Sequence, residues 1–269
     1  MKYLIVVDID GTLITDEGII PQKNKEVIKR LTDDGHYVVI ATGRPYHASF
    51  KLHEELNLTT PIITDNGGNI RIPSNPNFKM ITDGIPVDIA HDIFTFTKPH
   101  LESAFFSYGD YLYSYKHLDR LHAIFKGGEN AKIIHASFDE LELEPTGMIY
   151  LVDIAFKIPF ENKLMSLSEK IHFRLWGEDR KHAIYEIYKA NTSKYSAIEW
   201  VMNYLGVDKE HVIAFGDGLN DIEMIGNVHL GVAMPNGEEM VKQVAKDIAP
   251  YDNDHAGVGY YLENFFYKK

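Results

Sequence analysis

The chain has no cysteine, and this one absence removes disulfides, thiolate-bound metals and cysteine nucleophiles together. A protein that folds without cross-links and carries no thiol chemistry fits a reducing compartment, so a cytoplasmic location is expected. Long apolar runs are missing too. The first run, Tyr3-Leu4-Ile5-Val6-Val7, follows one lysine and is cut off by Asp8; it is too short for a secretory signal, and no later run has membrane-spanning length. Basic clusters are also absent. With 27 Lys and Arg against 39 Asp and Glu the formal charge is -12, the wrong sign for a phosphate backbone, so neither nucleic acid nor membrane is an expected partner. The 13 histidines are scattered, with no His-Glu-x-x-His and no pairing with carboxylates, which sets aside a zinc hydrolase.

What is present is ample apolar material. With 269 residues, 45% of them hydrophobic, the chain can build more than one small core, and two domains are expected. Short β-rich apolar runs occur at residues 3–7, 37–41, 61–63, 211–215 and 228–232, which read as buried strands. Between the first two, Val27, Ile28 and Leu31 recur at helical spacing and Asp33-Asp34-Gly35 closes the segment. The same alternation returns where Ser193 can cap a helix carrying Ala197, Ile198, Val201, Met202 and Leu205, ending at Gly206. Strand-helix alternation predicts a Rossmann-like, doubly wound parallel sheet. The middle of the chain differs. Aromatic stretches 105–108 and 111–115 flank Gly109-Asp110, a hairpin signal; further strands are expected near 148–155, 172–176 and 182–188, and helices near 87–97, 118–125 and 161–171. The expected organisation is a core from residues 1–83 and 189–269 with a second α/β domain, residues 84–188, inserted into it. The aromatics of the inserted domain read as sheet core in preference to a platform for a substrate ring.

In a parallel sheet, ligands bind beyond the carboxyl ends of the strands. The residues there are unusually polar: Asp8-Ile9-Asp10-Gly11-Thr12 after the first run, Thr42-Gly43-Arg44 after the second, Thr64-Asp65-Asn66-Gly67 after the third and Gly216-Asp217-Gly218-Leu219-Asn220-Asp221 after the fourth. Carboxylates crowded at one edge repel one another unless a cation sits among them, and an all-oxygen donor set points to Mg²⁺. Asp8 and Asp10 are two apart, so on extended chain they share a face, while Gly11 allows a sharp turn. One carboxylate can attack phosphorus; the other can protonate the leaving oxygen and later activate water.

The ordered set resembles the haloacid dehalogenase (HAD) phosphatase superfamily. Asp8-Ile9-Asp10-Gly11-Thr12-Leu13 is similar to its first motif, Thr42 in Ala41-Thr42-Gly43-Arg44 to its second, Lys194 to its third and Gly216–Asp221 to its acidic fourth. A large insertion between the second and third motifs, with Asn66-Gly67 and Leu230-Gly231-Val232-Ala233-Met234, resembles the Cof-type branch, subclass IIB, whose insertion is an α/β cap. The chain departs from the pattern at Tyr195, where a glycine often follows the lysine, and at Pro235-Asn236-Gly237 in place of Gly-Asn-Ala. Carried over, the resemblance implies Asp8 as nucleophile and metal ligand, Asp10 as general acid/base with its backbone carbonyl on the metal, Asp217 as a further ligand and Asp221 in support. Thr42, Gly43, Arg44, Asn66, Lys194 and Asn220 are then expected to bind the phosphoryl group or its surroundings.

The resemblance implies a Mg²⁺-dependent phosphatase acting on a small phosphorylated metabolite, a phosphorylated sugar by class, as a monomer or homodimer. Flavin-related or pyridoxal phosphates are alternative substrates. A phosphomutase-like phosphotransferase would need an arginine cluster in the cap, which is missing, and dehalogenation does not need the acid at Asp10. A non-catalytic phospho-ligand binding module is the reading from another class; intact Asp8, Asp10, Lys194 and Asp217 argue against it. The cap is expected to set specificity, moving on hinges near Asp83 and Ala190.

Overall fold

Strand β1 (Leu4–Val7) is four consecutive apolar residues, all buried, the pattern of a strand covered on both faces. The computed structural model describes residues 2–109, 111–116 and 132–268. They fall into two compact units, one comprising Met1–Arg44, Ser49–Met80 and Ser193–Lys269, the other Pro45–Ala48 and Ile81–Thr192. After β1 the first unit continues with β2 (Tyr37–Ala41), β3 (Ile62–Thr64) and β4 (Asn69–Arg71). The second unit holds β5 (Ile81–Thr82), β6 (Leu101–Tyr108), β7 (Tyr111–Lys116), β8 (Lys132–His135), β9 (Gly147–Asp153), β10 (Ile171–Glu178) and β11 (His182–Lys189). The chain then returns to the first unit for β12 (Val212–Gly216), β13 (Leu230–Ala233) and β14 (Asp247–Ile248).

In the first unit the strand order is β14-β13-β12-β1-β2-β3-β4, parallel throughout except for the antiparallel β3–β4 pair. Its order reverses at β1: the chain proceeds from β1 to β2 on one side and later to β12 on the other, the topological switch point at which open α/β sheets bind ligands. The register sets Val7 beside both Ile40 and Phe215, so the segments following β1, β2 and β12 leave the sheet at one edge. Helix Gln22–Asp33 buries Val27, Ile28 and Leu31 and packs on the C-terminal helix Gly257–Tyr267. Helix Lys194–Leu205 starts with a capping box in which Ser193 and Ser196 satisfy each other's backbone, and it ends at Gly206 in the left-handed conformation. The doubly wound sheet expected from the sequence is therefore the observed core. Among the described residues, no helix is long and apolar enough to cross a membrane.

The second unit is a sheet in the order β10-β11-β9-β6-β7-β8. The hairpin at Gly109 pairs Tyr108 with Tyr111. Alternation along the strands sorts side chains to two faces. Phe106, Met148, Tyr150, Val152, Tyr185 and Ile187 join Phe94 and Phe160, from helices Val87–Thr97 and Lys157–Met165, in one cluster. Phe105, Leu112, Ile149 and Leu151 form another on the opposite face. The aromatic hairpin thus fills sheet interior. Asp83, in the same unit, accepts bonds from Lys189 and from Thr192 Oγ1, the latter at 2.5 Å, and so fastens the chain's entry into the unit to its exit.

One helix expectation changes. The segment expected as helix over 161–171 is helical over Lys157–Met165: Pro159 sits in the first turn, where its missing N–H has no intrahelical partner to lose, and Ser166 bonds back to the Lys163 carbonyl at 2.6 Å at the end. Ile171 instead begins β10, paired with Lys189. The helix expected over 118–125 lies outside the described residues.

Candidate active site

The backbone N–H of Asp8 donates to the Phe215 carbonyl at 3.1 Å, carrying the β1–β12 ladder one residue past the strand and fixing where the carboxylate emerges. Asp8 is 6% exposed. The chain then makes a wide turn through Gly11, whose φ is 69°; a side chain there would overlap the Asp217 carboxylate, so only glycine suits both the backbone and the close approach. Thr12 Oγ1 donates to Asp217 Oδ1 at 2.8 Å, and Asn236 Nδ2 donates to the Gly11 carbonyl at 2.8 Å.

Lys194, the first residue of its helix, is 1% exposed, and Asp221 is fully buried. The lysine Nζ lies 2.6 Å from Asp8 Oδ1 and 2.6 Å from Asp221 Oδ1. Asp221 Oδ2 accepts the backbone N–H groups of Asp217 and Gly218, both at 3.0 Å. Both Asp221 oxygens are therefore engaged, and this residue shapes the loop and holds the lysine. Among the described residues, Asp8 and Asp217 each commit only Oδ1, to Lys194 and Thr12 respectively.

Ligand atoms of Asp8, Asp217 and Asp221 lie within 4.8 Å of one another. Burial drives the Asp8 carboxyl well above its ordinary range, with Asp221 and Asp217 adding to the shift and Lys194 opposing it. Asp217 is pushed up to about 6, chiefly by burial, against the bond from Thr12. The Lys194 ammonium is favoured because two carboxylates outweigh its burial. Three carboxylates against one ammonium leave two negative charges uncompensated. An all-oxygen, dianionic site fits a hard divalent cation.

The other expected residues form two satellite pairs at the same edge. Asp10 pairs with Arg44, whose Nε lies 2.7 Å from Oδ2 and Nη2 2.5 Å from Oδ1. Thr42 is 1% exposed, and its hydroxyl accepts the Arg44 N–H at 3.1 Å. Asn66 Oδ1 accepts from Asn220 Nδ2 at 2.8 Å, beside Gly43, where a Cβ would stand 2.9 Å from the Asn66 oxygen. Sequence reading gave no role to Thr12, Asn236 or Asn253. Asn253 is buried and donates to the Ile14 carbonyl at 3.0 Å, propping the chain beyond Asp8. Their signal is weak, because a Thr or Asn in a loop is ordinary until its partner is known.

The model of the haloacid dehalogenase-like hydrolases matches residues 5–262. Among curated proteins, the 5-amino-6-(5-phospho-D-ribitylamino)uracil phosphatase YitU of Bacillus subtilis (strain 168) is 31% identical, covering 98% of this chain and 97% of its own length. A second B. subtilis protein of the same description, YcsE, is 28% identical over 90% of this chain and 87% of its own. Among solved structures, a haloacid dehalogenase-like hydrolase from Bacteroides thetaiotaomicron is 27% identical, covers 99% of this chain and all of its own, and superposes with a TM-score of 0.84. Since the match runs from β1 into the last helix and the aligned relatives share its full length, the chain belongs to the haloacid dehalogenase-like hydrolase family, in its Cof-type branch, and is a phosphatase.

Proposed function

We propose that this phosphatase hydrolyses a small phosphate monoester, with a sugar or sugar-derived alcohol as leaving group, through an aspartyl-phosphate on Asp8. The observation that carries the reading is the buried Asp8–Lys194–Asp221 chain, which leaves Asp8 Oδ2 without a hydrogen-bond partner among the described residues. Asp8 Oδ2 attacks phosphorus as the bond to the alcohol oxygen breaks, and Asp10 gives that oxygen a proton. Asp10 then takes a proton from water, the water oxygen attacks phosphorus, and the bond to Asp8 breaks, releasing phosphate and restoring the carboxylate. Lys194 stabilises charge on the phosphoryl oxygens while keeping Asp8 oriented, and Thr42 with the Gly43-Arg44 backbone cradles the group. Mg²⁺ is the proposed cation, held by Asp8, Asp217 and the Asp10 carbonyl with Asp221 behind them; when bound it neutralises charge on the transferring group.

The substrate class is supported by the relatives, whose named substrate carries its phosphate on a ribityl chain. A ribityl phosphate is a sugar-alcohol phosphate, and flavin mononucleotide carries the same phosphorylated chain, so it joins two of the expected classes. The deciding experiment measures phosphate release from sugar phosphates, ribityl phosphates, flavin mononucleotide and pyridoxal phosphate, with and without Mg²⁺, beside Asp8→Asn. Magnesium-dependent release that vanishes in the variant is the expected result. Release that survives in Asp8→Asn would remove Asp8 as nucleophile, and the best substrate in the panel fixes the alcohol.

A further inference from the structure

The turn after β3 is conformationally unusual. Asp65, Asn66 and Gly67 have φ of 52°, 55° and 102°, three successive residues in the left-handed region. Such backbone is disfavoured for residues with a side chain, Asn and Asp being the most tolerant, and a run of it persists only where the surroundings determine it. Here they do. The N–H of Asp65 donates to the Arg44 carbonyl and that of Asn66 to the Thr42 carbonyl, both at 3.0 Å. At Gly67 a side chain would overlap the Ser193 carbonyl, so the turn lies directly on the cap of the helix that begins with Lys194.

This run of backbone carries Asn66 to Asn220. Asn66 Oδ1 accepts from Asn220 Nδ2 at 2.8 Å, and turning the Asn220 amide over would set two oxygens against each other there. Asn220 Oδ1 in turn lies 2.7 Å from where a Cβ on Gly218 would stand, which leaves that oxygen room only because residue 218 is glycine. The segment after β3 is thus joined to that after β2 by backbone bonds and to that after β12 by a pair of carboxamides.

We infer that Asn66 is a positioning residue: it acts on the reaction by fixing the orientation of the Asn220 amide. This rests on the proposed function to the extent that Asn220 faces the transferring phosphate. The left-handed turn is what lets Asn66 reach, and its strain is offset by the bonds to Thr42 and Arg44.

The test is a double-mutant cycle of Asn66→Gly and Asn220→Ala on Mg²⁺-dependent hydrolysis, with thermal melts. Glycine accepts φ near 55°, so Asn66→Gly keeps the backbone and melts at or above the parent temperature. Alone, it should lower kcat about tenfold or more and change KM by less than about twofold. In the Asn220→Ala background it should cost less than about twofold, because the group it positions is gone. An equal loss in both backgrounds, or no loss in either, overturns the inference. A turnover-independent measurement separates this from failure of the proposed function: the Asn220 side-chain amide resonances, identified by their absence in Asn220→Ala, should move in Asn66→Gly. If the parent lacks magnesium-dependent phosphatase activity, the proposed function falls, while an unmoved Asn220 amide would sink the positioning role regardless.

Discussion

The interiors of the two units differ in what they add to an aliphatic core: aromatic rings in the second, charged groups in the first. Among the fully buried large side chains, the second unit contributes Tyr150, Tyr185, Phe94 and Phe160, whereas the first contributes Lys194 beside Phe215 and the β1 aliphatics. Asp8, Thr42 and Asp221 are nearly as inaccessible. Burying a charge costs free energy that its ion pair at best roughly offsets, so a fold selected only for stability would fill the edge of the β1–β12 sheet with apolar groups. The first unit retains its charges where a cation and a phosphate are proposed to share the site, and the largest buried side chains of the second unit serve packing. If this contrast is correct, substitutions in the first interior change chemistry out of proportion to stability, and substitutions in the second do the reverse.

The sharpest break is Asp8→Asn. Loss of the nucleophile is expected to lower kcat at least about ten-thousandfold. Because burial already disfavours the Asp8 charge, the metal-free variant should melt at or above the parent temperature. A variant that is both inactive and unfolded would reduce Asp8 to a structural residue.

Next comes Lys194→Met, which removes the cation from between Asp8 and Asp221 and leaves two buried carboxylates facing each other. The expected cost is about 3–5 kcal/mol in denaturant unfolding without metal, along with loss of turnover. Added Mg²⁺ should recover part of the stability, since it supplies the missing positive charge, but not the activity. Full recovery of activity would deny the lysine a part in the chemistry.

The pH dependence follows from Asp217, whose folded carboxyl is raised to about 6 from an ordinary 3.8. A raised carboxylate pKa means that the folded state binds the proton more tightly than the unfolded state. Its contribution therefore destabilises the metal-free protein above about pH 6, and that penalty is relieved as pH falls from 6 toward 3.8. Protons and metal compete for the same oxygens. The Mg²⁺ concentration for half-maximal activity should rise at least about tenfold per unit below about pH 6, and Mg²⁺ should raise the melting temperature more at pH 8 than at pH 5. A metal requirement that is flat from pH 5 to 8 would place the cation elsewhere.

Much of this was readable in the sequence because it is local. The β2 span and the helix Val87–Thr97 coincide with the apolar spacing, and the Ser193 cap and Gly206 terminus follow from the chemistry of those residues. The polar segments after β1, β2, β3 and β12 were recognisable because each interrupts an apolar run. Partner choice was not recognisable. That Arg44 grips Asp10, or that Asn66 meets Asn220 across 154 residues, depends on how turns are bent by contacts made only in the folded chain. Strands as short as β4 and β14 carry too few residues to show a period, and β14 exists because β13 offers it an edge.

The smallest effect tests the other half of the contrast. Tyr185 is buried in the second unit's cluster and its hydroxyl donates to Glu161 Oε1 at 2.7 Å. Tyr185→Phe keeps the ring and its packing against Phe160, with centroids 5.1 Å apart, and removes only that bond. Glu161 is partly exposed, so water can take the place of the hydroxyl, and the expected cost is about 1 kcal/mol in denaturant unfolding. The kcat and the Mg²⁺ requirement should stay within about twofold of the parent, since the substitution alters no group at the sheet edge of the first unit. A larger fall in kcat at unchanged stability would show that the second unit's interior also takes part in turnover, and the division between a reactive first unit and a packed second one would have to be abandoned.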